Sequence, residues 1–171
     1  FDGLIFRLRN YNHMSDPRLW DKDDVKSQID TLRMIKWGRF TDNFLFLYVT
    51  DKWDMNWFND DQWNNIIHNM KLISKAAKAG NCAGICLDVE PYGDGIFQYP
   101  GPKDKYASKS FTEVAAKVRQ RGIQFMQALQ TEMPDMKLLQ FFQMAIYESL
   151  FDIINLEERK EKLYTHTSTY L

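Results

Sequence analysis

The segment Asn43-Phe-Leu-Phe-Leu-Tyr-Val-Thr50 is apolar or aromatic at nearly every position and lacks the polar alternation of a strand with one wet face. A strand buried on both sides belongs to a parallel sheet, and parallel neighbours need a long crossover between them. Three further runs fit the same sheet: Phe1–Leu8, Ala83–Glu90 ended by Pro91, and Met136–Phe142 after the break Pro134-Asp135.

The stretches between these runs read as helices. In Asp60–Ala79 the residues Trp63, Ile66, Ile67, Met70 and Ile73 fall three or four apart on one face, and Gly80 is placed to form a left-handed C-terminal cap. Ser110-Phe-Thr-Glu113 is a capping-box signature that opens a helix reaching Glu132, with Val114, Val118, Phe125 and Leu129 on its stripe. Asp23–Ile35 carries Val25, Ile29, Leu32 and Ile35 on one side. A last helix from Ala145 holds Ile146, Leu150 and Ile153 before the charged stretch Glu157–Lys162.

Alternation of β and α at this spacing implies an α/β fold with a parallel sheet wrapped by helices. The 171 residues suit a single domain, residues 1–171. Four βα units make half of an eight-stranded barrel, which takes about 250 residues. Two architectures follow: a partial (β/α)8 TIM-barrel-like domain, or a small doubly wound one. The abrupt start at Phe1, without initiator Met or leader, and the non-helical tail Tyr164–Leu171 favour a fragment of a longer barrel. Localisation stays open, secreted or periplasmic if a leader precedes residue 1.

With 22 basic and 23 acidic residues the net charge is −1, so nothing electrostatic points to nucleic acid or an anionic membrane, and the expected partner is neutral or weakly charged. No apolar run approaches the roughly 20 residues that span a bilayer. On one strand Cys82 and Cys86 would stand about 13 Å apart, beyond the roughly 7 Å a disulfide tolerates, so Cys86 is expected as a free, buried thiol. His13, His68 and His166 lack metal-ligand spacing and read as structural or solvated. The Gly- and Pro-rich loop Tyr92–Pro102 lacks the patterns of nucleotide sites, and no cofactor is expected.

Chemistry concentrates at the end of the third strand. Side chains alternate across a strand, so Gly84, Cys86, Asp88 and Glu90 share one face while Ile85, Leu87 and Val89 share the other. Two carboxylates about 7 Å apart at the C-terminal end, where parallel α/β folds place their sites, can divide labour as proton donor and charge stabiliser. That division suits glycosidic cleavage, with Glu90 nearer the mouth as the acid. The plainer alternative is that Asp88 and Glu90 cap loops or pair with Arg7 or Arg9.

Ala83-Gly-Ile-Cys-Leu-Asp-Val-Glu90 resembles the Asp-x-Glu strand of chitinase-like glycoside hydrolases of family 18, written Asp-Gly-x-Asp-x-Asp-x-Glu. Gly84, Asp88 and Glu90 match, whereas Ala83 and Cys86 stand where that family has aspartates. The resemblance implies a barrel in which Glu90 is the general acid and Asp88 steers the substrate's acetamido group. Lysozyme-like barrels of family 25 carry a similar strand, and the chain also looks like bacterial barrel proteins without an assigned substrate.

Aromatics extend the sugar reading. Trp53, Trp57 and Phe58 follow the second strand, and Tyr92, Phe97 and Tyr99 follow the third, as flat faces suited to a sugar ring. Trp63, at helical spacing, reads as core. Gln140 and Gln143 end the fourth strand as candidate ligand donors, and Arg7 ends the first. The expected substrate contacts are therefore Tyr92, Trp53, Trp57, Tyr99, Arg7 and Gln140. The leading expectation is a glycoside hydrolase with Glu90 and Asp88 catalytic and no metal. The alternatives are a carbohydrate-binding barrel without turnover and a hydrolase that ligates a metal through Asp88 and Glu90.

Overall fold

Backbone pairing follows the apolar runs. The computed structural model describes residues 1–48, 53–89, 96–141 and 148–165. Strands β1 (Ile5–Phe6), β2 (Phe44–Tyr48), β3 (Gly84–Asp88) and β4 (Lys137–Phe141) form one four-stranded sheet in the order β1-β2-β3-β4, every pair parallel. Between and after them lie helices α1 (Lys22–Met34), α2 (Asp60–Ala79), α3 (Phe111–Leu129), α4 (Glu148–Phe151) and α5 (Leu156–Thr165).

Local signals set the helix boundaries. The Asp21 carboxylate accepts from the backbone N–H groups of Asp23 and Asp24 at the start of α1, and Asn59 accepts from that of Gln62 at the start of α2. Ser110 and Glu113 close the expected capping box of α3. This helix stops at Leu129, short of Glu132, and Ile35 lies beyond α1 as its half-exposed cap residue. Gly80 is not left-handed, having φ −80°; the positive φ of 48° falls on Asn81, a residue that tolerates it. The last helical stretch divides into α4 and α5.

The sheet has two unlike faces. Register places Leu45 beside Ile85 and Leu47 beside Leu87, and all four are buried in one cluster with Val25, Ile66, Ile73, Val114 and Leu129 from α1, α2 and α3. Each such side chain contributes roughly 1.5–3 kcal/mol by leaving water. The opposite face carries Phe46, Tyr48, Cys86, Asp88, Leu139 and Phe141 in register, none of them in that cluster. Sequential strand order with α1, α2 and α3 packed in turn against one face makes a singly wound layer, and the reversal of strand order that marks a doubly wound sheet is not seen among the described residues. No helix among the described residues is long and apolar enough to cross a membrane.

β1 is far shorter than the run Phe1–Leu8. Its ladder ends at Phe6, and the chain rejoins the sheet at His13, which bridges Tyr48. Tyr48 N–H donates to the Asn12 carbonyl at 2.9 Å, and Met14 N–H donates to the Tyr48 carbonyl at 3.0 Å. Residues 7–11 form the excursion between, with Asn10 at φ 67°.

Close packing of β3 on β4 is testable at one glycine. A Cβ at Gly84 would stand 1.8 Å from the Lys137 carbonyl oxygen, whereas one at Gly122 in α3 meets nothing within 4 Å. Gly84→Ala is expected to lower stability by about 1–3 kcal/mol by forcing the strands apart. Gly122→Ala should raise it by about 0.5–1 kcal/mol through lost unfolded-state freedom. Urea midpoints check both, and a wild-type midpoint for Gly84→Ala would contradict the strand register.

Candidate functional site

The excursion after β1 and the end of β2 enclose an open cleft of about 590 Å³ at the C-terminal edge of the sheet. Arg7, Arg9, Asn10, Asn12, His13 and Arg18 line it from the β1–α1 connection, and Tyr48 and Trp53 from the end of β2 and beyond. The wall is polar and strongly cationic, unlike the chain as a whole.

Buried polar groups fix this wall. Asp16 is only 1% exposed, and its carboxylate accepts two bonds from the Arg18 guanidinium, at 2.9 Å from Nε and 2.8 Å from Nη2. The Trp20 indole N–H donates to the same carboxylate at 2.9 Å. Burial works against the Asp16 charge, but the Arg18 fork and the Trp20 indole overcome it and hold the carboxyl below its ordinary range. Asn69, fully buried on α2, accepts from Trp20 N–H at 3.1 Å and donates to the Arg18 carbonyl at 2.7 Å and the Asp16 carbonyl at 3.3 Å. Asn65 adds a bond to the Pro17 carbonyl at 3.0 Å. The loop is thus tied to a helix that itself packs on the sheet.

Inside the cleft, the Tyr48 hydroxyl and His13 Nε2 share a hydrogen bond of 2.6 Å. The His13 ring meets Trp53 edge-on at 4.5 Å, and the Arg18 guanidinium lies 4.5 Å from the centre of the Trp53 ring. His13 is therefore a buried partner of Tyr48 at the cleft rather than a solvated side chain.

Asp88 ends β3 directly beside Tyr48, on the face away from the helices. Cys86 lies two residues earlier on that face. Burial and the negative charge of Asp88 push the Cys86 thiol up to about 11, and burial pushes Cys82 up to about 12. Both thiols are free and buried. Among the described residues no group of three or more His, Cys, Asp or Glu side chains comes together to hold a metal.

The expected contacts divide sharply. Arg7 and Trp53 line the cleft, and Asp88 stands beside it. Glu90 and Tyr92 lie outside the described residues. Trp57 does not face a ligand: it is 2% exposed, stacks on Trp63 at 5.3 Å, and its indole N–H donates to the Ile96 carbonyl at 3.2 Å. Trp63 is core, as its helical spacing implies. Tyr99 is likewise structural, its hydroxyl donating to the Lys109 carbonyl at 2.6 Å and its ring set edge-on to Phe111. Gln140 pairs in register with Leu87, so it points to the helix side and away from Asp88. Gln143 falls outside the described residues.

The sequence reading missed Asn10, Asn12, Arg18 and Tyr48 as cleft residues. The polar run Arg7-Leu-Arg-Asn-Tyr-Asn-His13 immediately after a strand was the available signal, since loops at the C-terminal edge of parallel strands carry sites. Compared with protein-family models, curated proteins and solved structures, the chain matches none of them.

Two measurements test this geometry. Because Asp16 has a lower value folded than unfolded, its stabilisation is present above the unfolded value and is lost as pH falls through the folded one. Asp16→Asn should therefore cost about 1–3 kcal/mol at neutral pH, and the gap to wild type should close below about pH 4. A gap independent of pH would contradict the ionised pair. For the thiols, an aromatic disulfide reagent at pH 8 should leave the native protein unmodified and label both cysteines after denaturation; rapid labelling of Cys86 in the native state would contradict its burial.

Proposed function

We propose that this chain is a glycosidase-like (β/α) barrel domain, present here as four βα units, that cleaves a glycosidic bond with Glu90 as general acid and Asp88 as its orienting and stabilising partner. The singly wound strand order supports the barrel reading, because successive parallel neighbours with helices on one side are the repeating unit of that fold. The observation that carries the functional reading is the place of Asp88. It sits at the C-terminal end of β3, on the face opposite the helices, beside Tyr48, which lines the polar cleft.

In this scheme the cleft residues hold the sugar. Trp53 offers an aromatic surface, Tyr48 and Asn12 offer hydrogen-bonding groups, and Asp88 stabilises positive charge that develops as the bond breaks. Glu90 would supply the proton to the departing oxygen. A second reading, a carbohydrate-binding barrel without turnover, is favoured by one feature: the place of an aspartate in the resembling strand is taken by Cys86, a buried thiol with no acid–base role near neutral pH.

Hydrolysis of a panel of chromogenic glycosides separates the two. Under the first reading Glu90→Gln and Asp88→Asn each lower kcat by about 10²–10⁴-fold with the fold intact by circular dichroism. Unchanged turnover in Glu90→Gln would overturn the acid assignment. Saturable sugar binding with no turnover in any of the three proteins would establish the binding module.

A further inference from the structure

The chain carries nearly balanced charge, yet Arg7, Arg9 and Arg18 converge on one cleft of about 590 Å³. Each guanidinium has a different status. Arg18 is committed through Nε and Nη2 to the buried Asp16 carboxylate, and its plane is braced by Trp53. This leaves Nη1 as a donor with a fixed position. Arg9 stands 4.0 Å from Asp24 and is 79% exposed, a loose surface pair of little energetic consequence. Arg7 makes no ion pair or hydrogen bond among the described residues. It lies just past β1, whose ladder ends at Phe6, and lines the cleft together with Tyr48.

Among the described residues, the acids near the cleft do not cancel this charge. Asp16 is consumed by Arg18, and Asp24 faces Arg9 and the Tyr11 hydroxyl. Asp88 belongs to β3, two strands from β1, a separation of roughly 10 Å. Positive charge therefore gathers over β1 and β2 and negative charge over β3. A planar, preorganised guanidinium that shares a cleft with one making no ion pair among the described residues can recognise an oxyanion through paired N–H donors.

We propose that the cleft is an oxyanion subsite: Arg7 and Nη1 of Arg18 receive a carboxylate, sulfate or phosphate group carried by the substrate, which makes that substrate an acidic saccharide rather than a neutral one. The sugar in this statement rests on the glycosidase reading, while the anion rests on the cleft alone. With the anion over β1–β2, a saccharide unit spans the distance to Asp88 at β3. This specificity departs from the neutral partner that the overall charge suggests, because two guanidiniums lining one cleft outweigh a global balance.

Equilibrium binding of glucose, glucuronate, glucose 6-sulfate and glucose 6-phosphate to the chain at low salt tests it, since the four differ in the anion. At least one acid should bind about tenfold or more tightly than glucose, with the preference shrinking as salt rises. Which acid wins identifies the group. Arg7→Gln, at an exposed position where folding is unaffected, should abolish the preference, and Arg7→Lys should keep part of it. Acids that bind no tighter than glucose, or a preference that survives Arg7→Gln, would overturn the subsite. Because no step requires turnover, an inactive protein that still selects the acid would remove the glycosidase reading and leave the anion site standing.

Discussion

Parallel pairing of the four strands is the constraint from which the remaining structure follows. Because β1 to β4 run in one direction and neighbour each other in chain order, every strand delivers its C-terminal residues to one edge of the sheet. Residue parity then decides which side chains arrive there on the face without helices. Leu45, Leu47, Ile85 and Leu87 go to the helices, so Tyr48 and Asp88 go to the other side together. A slip of one residue in β3 would exchange Asp88 for Leu87 and bury a carboxylate among α2 and α3.

At both ends of the sheet, order comes from buried polar groups rather than from more hydrophobic surface. Asn43, fully buried, accepts from Leu4 N–H at 3.0 Å, donates to the Phe40 carbonyl at 2.9 Å, and through its own carbonyl accepts from Ala83 N–H at 2.7 Å, so it joins the beginnings of β1, β2 and β3. Asp16 and Asn69 hold the loop after β1. Arg121, buried on α3, donates through Nε to the Trp57 carbonyl at 2.9 Å and pairs with Asp60, while the Tyr106 hydroxyl accepts from Trp57 N–H at 3.0 Å; together these hold the connection after β2. Such groups are costly when unsatisfied and rigid when satisfied, which holds the loops they tie in one arrangement.

Much of this was legible in the chain. The doubly apolar run around Leu45, the face of α2 from Trp63 to Ile73, the Ser110–Glu113 box and the parity of Asp88 all rest on local patterns, and local patterns survive folding. What was illegible depends on contacts far apart in sequence. Phe-Arg-Leu-Arg looks like an alternating strand, but Arg9 exchanges bonds with the Gln28 side chain on α1, and the chain returns to β2 only where Asn12 meets Tyr48. Loop aromatics look alike in sequence; Trp57 and Tyr99 turned out to be satisfied by the carbonyls of Ile96 and Lys109, and Trp53 by the cleft. The parity of β4 was hidden because Leu138 and Leu139 are both apolar, so nothing local assigns Gln140 to a face.

The resulting picture is a sheet edge with a cationic half over β1–β2 and an acidic residue at the end of β3, joined by Tyr48. Its central claim is that ligand binds on this edge and on the face away from the helices. The most direct measurement is a map of backbone amide shifts in the isotope-labelled protein during titration with an acidic saccharide. The shifts should centre on residues 7–13, Tyr48, Trp53 and Asp88, with α1, α2 and α3 quiet along their outer faces. Shifts concentrated on the helix layer, or none up to millimolar ligand, would contradict it.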